Sequence, residues 1–326
     1  MSMKKYKQLS YEERVTIKIC LWHKMSINQI AKKMKRSPST ISREIKRGIT
    51  LNGTYFAEST EREIRKRKLN DKRKRLMDNP IIYNYVLEKL KDKQSPHIIQ
   101  NDIKRDLGLQ IGKDAIYEYI YRFHPDWIKY LTRKKKYKHK GNKGAKSVII
   151  KNKVNILERP KEANERLEFG HFEADTIFSC NGSKSALLVV VDRMTRKTKI
   201  KKLERKIASL TSSSIVFALK SEYKSSQIYS ITYDNGCEFA DHETVNKSLK
   251  CRSFFCNAYH SWEKGTVENI NGLIRRFFPK GTNFDNISEE QIQYVEDWIN
   301  NRSMKILGWK SPNQVFQSQF LRSVAV

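Results

Sequence analysis

YHSWEKGTVENINGLIRRFFPKG, residues Tyr259 to Gly281, carries the apolar spacing of one packed helix. Read as a helix from about Trp262 to Phe278, it lines up Val267, Ile270, Ile274 and Phe277 on a single stripe. Glu268 falls on a neighbouring face, and Arg275, seven residues later, lies two turns further on and nearly below it. A carboxylate and a guanidinium on the exposed side of a half-buried helix suit a metal ion and a phosphate. The plainer alternative is a solvated face with unrelated charges.

Upstream of that helix the pattern alternates between strand and helix. Phe172–Phe178 alternates in part and contains Asp175. Ala186–Val191 is a continuous apolar run fit for a central strand, and Thr198–Leu203 follows after a turn at Asp192 and Arg193. Ala208–Lys220 reads as a helix and Ile228–Tyr233 as a strand ending at the turn signal Asp234-Asn235-Gly236. Phe239–Leu249 is a second helix, Phe254–Phe255 a short strand, and Ser288–Asn301 a helix after the Glu268 segment. Three strands followed by alternating helices and strands predict an α/β sheet of mixed direction.

Three acids stand out in this half. Asp175 is flanked by apolar residues within a strand, a costly place for an unpaired charge. Asp234 follows the C-terminal end of a strand, where α/β folds build their sites. Glu268 lies on a helix able to cover that edge. Three carboxylates from separate elements can converge on two divalent cations, which activate an attacking oxygen and stabilise a leaving one at phosphorus. Oxygen ligands suit magnesium, with manganese as substitute. Glu173, Asp192 and Glu238 are rivals, read otherwise as a surface acid beside a strand, a turn former and a first-turn acid held by a helix dipole.

The first half has a different character. Of the 65 Lys and Arg against 35 Asp and Glu, residues 1–150 hold 38 basic and 15 acidic side chains, and the rest of the chain is nearly balanced. Such an imbalance points to a polyanion held by the first half and acted on by the second. No run of 18 apolar residues and no signal-peptide pattern occurs, so a membrane is not the expected partner and a soluble, cytoplasmic protein is. The five cysteines are odd in number and contain no C-x-x-C, so neither a disulfide framework nor a zinc finger is expected.

Ser10 with Glu13 and Ser26 with Gln29 form capping-box patterns, the first ahead of a helix around Val15 and Ile19. Ser37 with Pro38 opens a third helix, with Ile41 and Ile45 inward and Ser39, Thr40, Ser42, Arg43 and Lys46 outward. Two short helices, a tight turn at Lys35 and Arg36, and a third helix rich in small polar and basic residues read as a helix-turn-helix. Arg43 is the candidate reader of a guanine edge, with Ser39 and Thr40 near it; Arg36, Lys46 and Arg47 are candidate phosphate contacts. The alternative is a three-helix packing unit with a basic surface. Residues 61–75 hold nine Lys or Arg, either a solvated helix or a backbone-tracking linker. Ile81, Tyr85 and Leu87–Leu90, then Ser95-Pro96 through Gly108, then Lys113–Arg122 predict a second helical unit resembling a helix-turn-helix. RKKKYKHKGNKGAK, Arg133–Lys146, reads as a flexible basic linker. The expected domains are therefore 1–55, 56–130, a linker 131–150, and an α/β core with C-terminal helices 151–326.

The chain resembles the DDE transposases of the insertion-sequence family thirty, within the retroviral-integrase superfamily. GHFEADTI (Gly170–Ile177), YDNGCEF (Tyr233–Phe239) and GTVENINGLIRRFFPKGTNF (Gly265–Phe284) match its three signature blocks. Thirty-three residues separate Asp234 from Glu268, similar to the family's gap, and Arg275 matches its basic residue seven after the Glu. SPSTISREIKRG (Ser37–Gly48) and NNRSMKILGWKSPNQVF (Asn300–Phe316) resemble its opening and closing blocks. Phe172 stands where the family usually has Trp, and Ser303 where Pro is common.

The resemblance implies an RNase H-like core after the helix-turn-helix units. It implies Asp175, Asp234 and Glu268 as catalytic and metal-binding residues with two Mg²⁺, and Arg275 at a phosphate. The implied activity is binding of terminal inverted repeats, metal-dependent strand cleavage, and direct transesterification by the freed 3′-OH into target DNA. Joined-end circles, a multimer of at least two chains, and a place at the bacterial nucleoid go with it. Two alternatives remain at this level: a DNA-binding regulator without catalysis, and a metal-dependent nuclease that cuts but does not join.

Overall fold

The computed structural model describes residues 8–50, 53–131, 150–257 and 260–324. The expected linker at 133–146 and Tyr259 lie outside them. Packing divides the chain into two units: residues up to Lys91 with Leu109–Lys129, and Asp92–Gly108 with Tyr130 onward.

In the first unit, α1 (Tyr11–Trp22), α2 (Ile27–Lys33) and α3 (Pro38–Gly48) start at the expected caps. Ser10 Oγ accepts from the Glu13 amide at 3.2 Å while the Glu13 carboxylate accepts from the Ser10 amide at 2.7 Å. The Ser26–Gln29 box repeats this reciprocal arrangement. Lys35 sits at φ +51° and makes the tight turn between α2 and α3. Ile17, Cys20, Ile30, Ala31, Ile41 and Ile45 form the core beneath α4 (Ala57–Met77). The buried face of α1 is Arg14, Ile17 and Cys20, whereas Ile19 is about half exposed. Arg14 is tolerated there because Glu44, Glu61 and the Leu9 carbonyl, each at 2.7 Å, surround its guanidinium. Gly48 closes α3 where any side chain would collide, since a Cβ would stand 2.3 Å from both Tyr55 and Thr60. The helix α5 (Pro80–Lys91) forms as expected but on a different stripe, with Ile82, Val86 and Leu90 buried and Ile81 exposed.

The second helical region is shared between the units. Helices α4, α5 and α7 (Lys113–Phe123) pack in the first, while α6 (Pro96–Leu107) belongs to the second. There Ser303 donates to Asp102 at 3.0 Å and accepts from Arg105 at 2.8 Å, so its hydroxyl ties α6 to the C-terminal segment.

After the short α8 (Lys161–Glu165), the second unit builds a five-stranded sheet in the order β3-β2-β1-β4-β5. The strands β1 (His171–Phe178), β2 (Ala186–Asp192) and β3 (Thr198–Leu203) run antiparallel. The strands β4 (Ser230–Tyr233) and β5 (Arg252–Phe255) add in parallel beside β1. This mixed order is the RNase H-like arrangement. Every residue of β2 is buried, because helices cover both faces of the sheet. One face packs on α9 (Ala208–Lys220), α10 (His242–Leu249) and α13 (Pro312–Val324) through Phe172, Ala174, Leu188, Val190, Ile231 and Tyr233. The other packs on α11 (Gly265–Ile274) and α12 (Glu289–Asn301) through Ile177, Val189 and Val191. Strand alternation therefore turns Glu173 and Asp175 toward α11.

The α11 segment is shorter than its periodicity predicts. Ser261–Lys264 is a 3-10 turn, Arg275 is the C-cap, and Phe277 lies beyond the helix with its ring edge-on to Trp298 at 4.9 Å.

Candidate active site

Asp175 from the middle of β1, Asp234 just past β4 and Glu268 from the first turn of α11 line one cavity of about 510 Å³. Asn235, Gly236, Cys256, Asn257, His260 and Lys264 complete its wall with Val267. The parallel pairing of β1 with β4 brings Asp175 and Asp234 to one sheet edge.

A cation already lies between them. Lys264 Nζ donates to Asp175 Oδ1 at 3.2 Å and to the Ala174 carbonyl at 3.2 Å, and lies 3.3 Å from Asp234 Oδ2. Burial pushes the Lys264 ammonium toward neutrality, but Asp175 and Asp234 outweigh it and raise its pKa above the ordinary value. Burial raises the Asp175 pKa, with Lys264 opposing and the like charge of Asp234 adding to the rise. The other oxygen of Asp175 accepts from Asn271 Nδ2 at 2.7 Å, while the buried Asn271 Oδ1 has no hydrogen-bond partner among the described residues.

These donors fit a hard divalent cation. The carboxylate donors are all oxygen, and two of them already share one positive charge. Among the described residues no group of three His, Cys, Asp or Glu is arranged to hold a metal ion.

The rivals have structural duties. Glu173 is fully buried rather than a surface acid: it pairs with Arg193, and its Oε2 accepts from the Val267 amide at 2.9 Å. That bond pins the N-terminus of α11 to β1, two residues from Asp175. Asp192 closes the β2–β3 turn by accepting from the amides of Gly170, Met194 and Thr195. Glu238 accepts from Thr176 Oγ1 at 2.7 Å and pairs with Lys206 at 2.8 Å. Lys264, Asn271 and the anchoring role of Glu173 escaped sequence reasoning. Lys264 and Asn271 stand four residues before and three after Glu268, within one helical turn of it, which is the signal that was available.

Arg275 does not line the cavity. Its half-buried guanidinium donates to the carbonyls of Phe178 at 2.8 Å and of Phe278 and Pro279 at 3.3 Å, and burial lowers its pKa. On α3, Ser39, Arg43 and Lys46 are exposed and Thr40 is partly so. Arg43 donates to the Ser39 carbonyl at 3.1 Å, Arg36 forks onto Glu13 at 2.9 and 3.1 Å, and Arg47 pairs with Glu44 at 2.8 Å.

A family model described as a helix-turn-helix domain matches residues 5–48, the segment of α1–α3. The transposase for insertion sequence element IS4351 of Bacteroides fragilis is 35% identical over 95% of this chain and 96% of its own length. The transposase InsI for insertion sequence element IS30A of Escherichia coli K12 is 32% identical over 95% of this chain and 83% of its own. The chain belongs to the IS30 family of transposases. As a family member it is a DNA-binding, DNA-processing enzyme. Among solved structures, it is similar to the catalytic core domain of BIV integrase (17% identity, 47% of this chain, 98% of that chain, TM-score 0.37). It is also similar to the HTLV-2 integrase catalytic core domain in complex with magnesium, dimeric form (19%, 45%, 97%, TM-score 0.35).

Proposed function

We propose that this IS30-family protein binds the terminal inverted repeats of its element, cleaves the strand at the element's end, and joins the freed 3′-OH to target DNA by direct transesterification. The observation that carries the reading is the meeting of Asp175, Asp234 and Glu268 around one cavity. These three side chains would hold two Mg²⁺, with Mn²⁺ as substitute. Bound there, divalent cations activate an attacking oxygen and neutralise charge on the leaving one.

The chain's own residues supply the rest. Asn271 fixes the orientation of Asp175, and Glu173 fixes the helix that carries Glu268. The open cavity admits a phosphodiester between the sheet edge and the first turn of α11. Helix α3 enters the major groove, with Arg43 reading a base edge, Ser39 and Thr40 beside it, and Lys46 on a phosphate. Arg36 and Arg47 contact phosphates with the charge their pairing to Glu13 and Glu44 leaves. Arg275 shapes the end of α11 through the carbonyls it holds and, away from the cavity lining, contacts a phosphate of the bound DNA. The active complex contains at least two chains, because two element ends must be joined in one event.

Asp175→Asn tests this reading. It should abolish Mg²⁺-dependent cleavage of an end-containing duplex and leave gel-shift affinity for that duplex within about threefold of wild type, since the recognition helix lies in the other unit. Retained cleavage would overturn the assignment. A strand-transfer assay with pre-cut 3′-OH ends separates a transposase from a nuclease that only cuts.

A further inference from the structure

A lysine ammonium with 8% of its side chain exposed is held only where oxygen atoms replace its water. Lys264 has three such atoms: it donates to the Ala174 carbonyl and to Asp175 Oδ1, and pairs electrostatically with Asp234 Oδ2 at 3.3 Å. The ammonium is thus coordinated as a bound cation would be. Its single positive charge faces two carboxylates across 3.2 and 3.3 Å.

We propose that Lys264 is a built-in counter-ion that holds the metal position of the resting site and leaves it when a divalent cation enters. The inference rests on the metal-binding reading of Asp175 and Asp234. A cation of magnesium size binds oxygen at about 2.1 Å, so it and an ammonium on the same two carboxylates exclude one another by volume and by charge.

The architecture permits the exchange. Lys264 ends a 3-10 turn and takes a non-helical backbone (φ −112°, ψ 37°) ahead of α11. The helix itself is anchored elsewhere, by the Val267 amide on Glu173 and by Thr266 Oγ1, which accepts from Arg196 at 2.7 Å. The side chain can therefore swing into the cavity without moving Glu268. In the resting protein it spares Asp175 and Asp234 from facing each other as bare like charges. During metal entry it acts as a competitor, and competition between two ligands for one site is a negative coupling, commonly about 5–150-fold.

The test is Mn²⁺ titration of the full-length protein by calorimetry at pH 8, with thermal unfolding recorded with and without metal. Wild type, Lys264→Gln, Lys264→Arg and Asp175→Asn are compared. Lys264→Gln should bind Mn²⁺ about tenfold or more tightly than wild type, unfold at a lower temperature without metal, and gain more from adding it. Lys264→Arg keeps the charge and should stay within about threefold of wild type. Asp175→Asn should lose binding. A Lys264→Gln protein that folds only with Mn²⁺ supports the proposal, and one that folds under neither condition overturns it. Equal affinity in wild type and Lys264→Gln overturns the counter-ion alone. Absence of Mn²⁺ binding in all four proteins overturns the metal-site reading with it.

Discussion

Replacing Glu173 with Ala should destabilise the α/β unit severely without touching any catalytic group. Glu173 is 0% exposed, and its partner Arg193 is buried with 5% of its side chain exposed. Burial already lowers the Arg193 pKa, and Glu173 is the first charge that counters it. Removing the carboxylate strands a guanidinium in the interior, at about 3–5 kcal/mol for a broken buried pair. It also strips the acceptor from the Val267 amide at 2.9 Å, an orphaned donor worth about 1–3 kcal/mol. The two losses overlap in one network, so the expected total is about 4–5 kcal/mol. For a unit of this size that is a fall of about 10 °C in Tm. Calorimetric and denaturant unfolding of wild type, Glu173→Ala, Glu173→Gln and Glu173→Met/Arg193→Met would measure it. Glu173→Gln keeps an acceptor for Val267 and should fall between wild type and Ala. The double variant removes both charges and should recover most of the loss. A cost below about 1 kcal/mol for Glu173→Ala, or a double variant no better than the single, would refute the anchoring argument.

Three further outcomes are expected. Arg14→Met should cost about 3–5 kcal/mol in the first unit, because Glu44 and Glu61 lose a cation at 2.7 Å, and should abolish gel-shift binding of element ends at 37 °C. Gly48→Ala should destabilise the same unit by about 1–3 kcal/mol, read as a lower denaturant midpoint, because its Cβ would press on the Tyr55 ring. Arg43→Ala should cost about 1–3 kcal/mol of end binding and relax selectivity at one base position, whereas Lys46→Ala should weaken binding to all duplexes alike and reduce its salt dependence.

Much of the α/β unit was legible in the sequence because its signals are local. Ala208–Lys220 forms the helix its periodicity predicts, end for end, and the run Ala186–Val191 is, with one added residue, the fully buried strand β2, beside the middle strand β1 rather than itself the middle one. The caps at Ser10, Ser26 and Ser37 are likewise written within four residues of each helix start. What stayed hidden depends on partners distant in the chain. Glu173 reads as a surface acid until Arg193, twenty residues on, folds against it. On α5 the i, i+4 stripe Ile82–Val86–Leu90 is apolar throughout, whereas the Ile81 stripe runs through Tyr85 to Lys89, so the buried face is legible there and the expectation at Ile81 rests on the wrong stripe. The periodicity around Glu268 overran the true helix because the backbone at Lys264 departs from it and Phe277 packs on α12 from beyond the helix end. The three acids were nameable from the sequence; the ammonium between two of them left only its place four residues before Glu268 as a signal, and its contacts with Ala174 and Asp175 come from a strand about ninety residues upstream.

The most direct test of the account is the anomalous scattering of a crystal of the full-length protein soaked in Mn²⁺. The account predicts a manganese peak about 2.1 Å from oxygens of both Asp175 and Asp234, with Glu268 turned toward the same site and Lys264 withdrawn. Manganese bound elsewhere, or an ammonium still seated between the two aspartates at saturating metal, would contradict it.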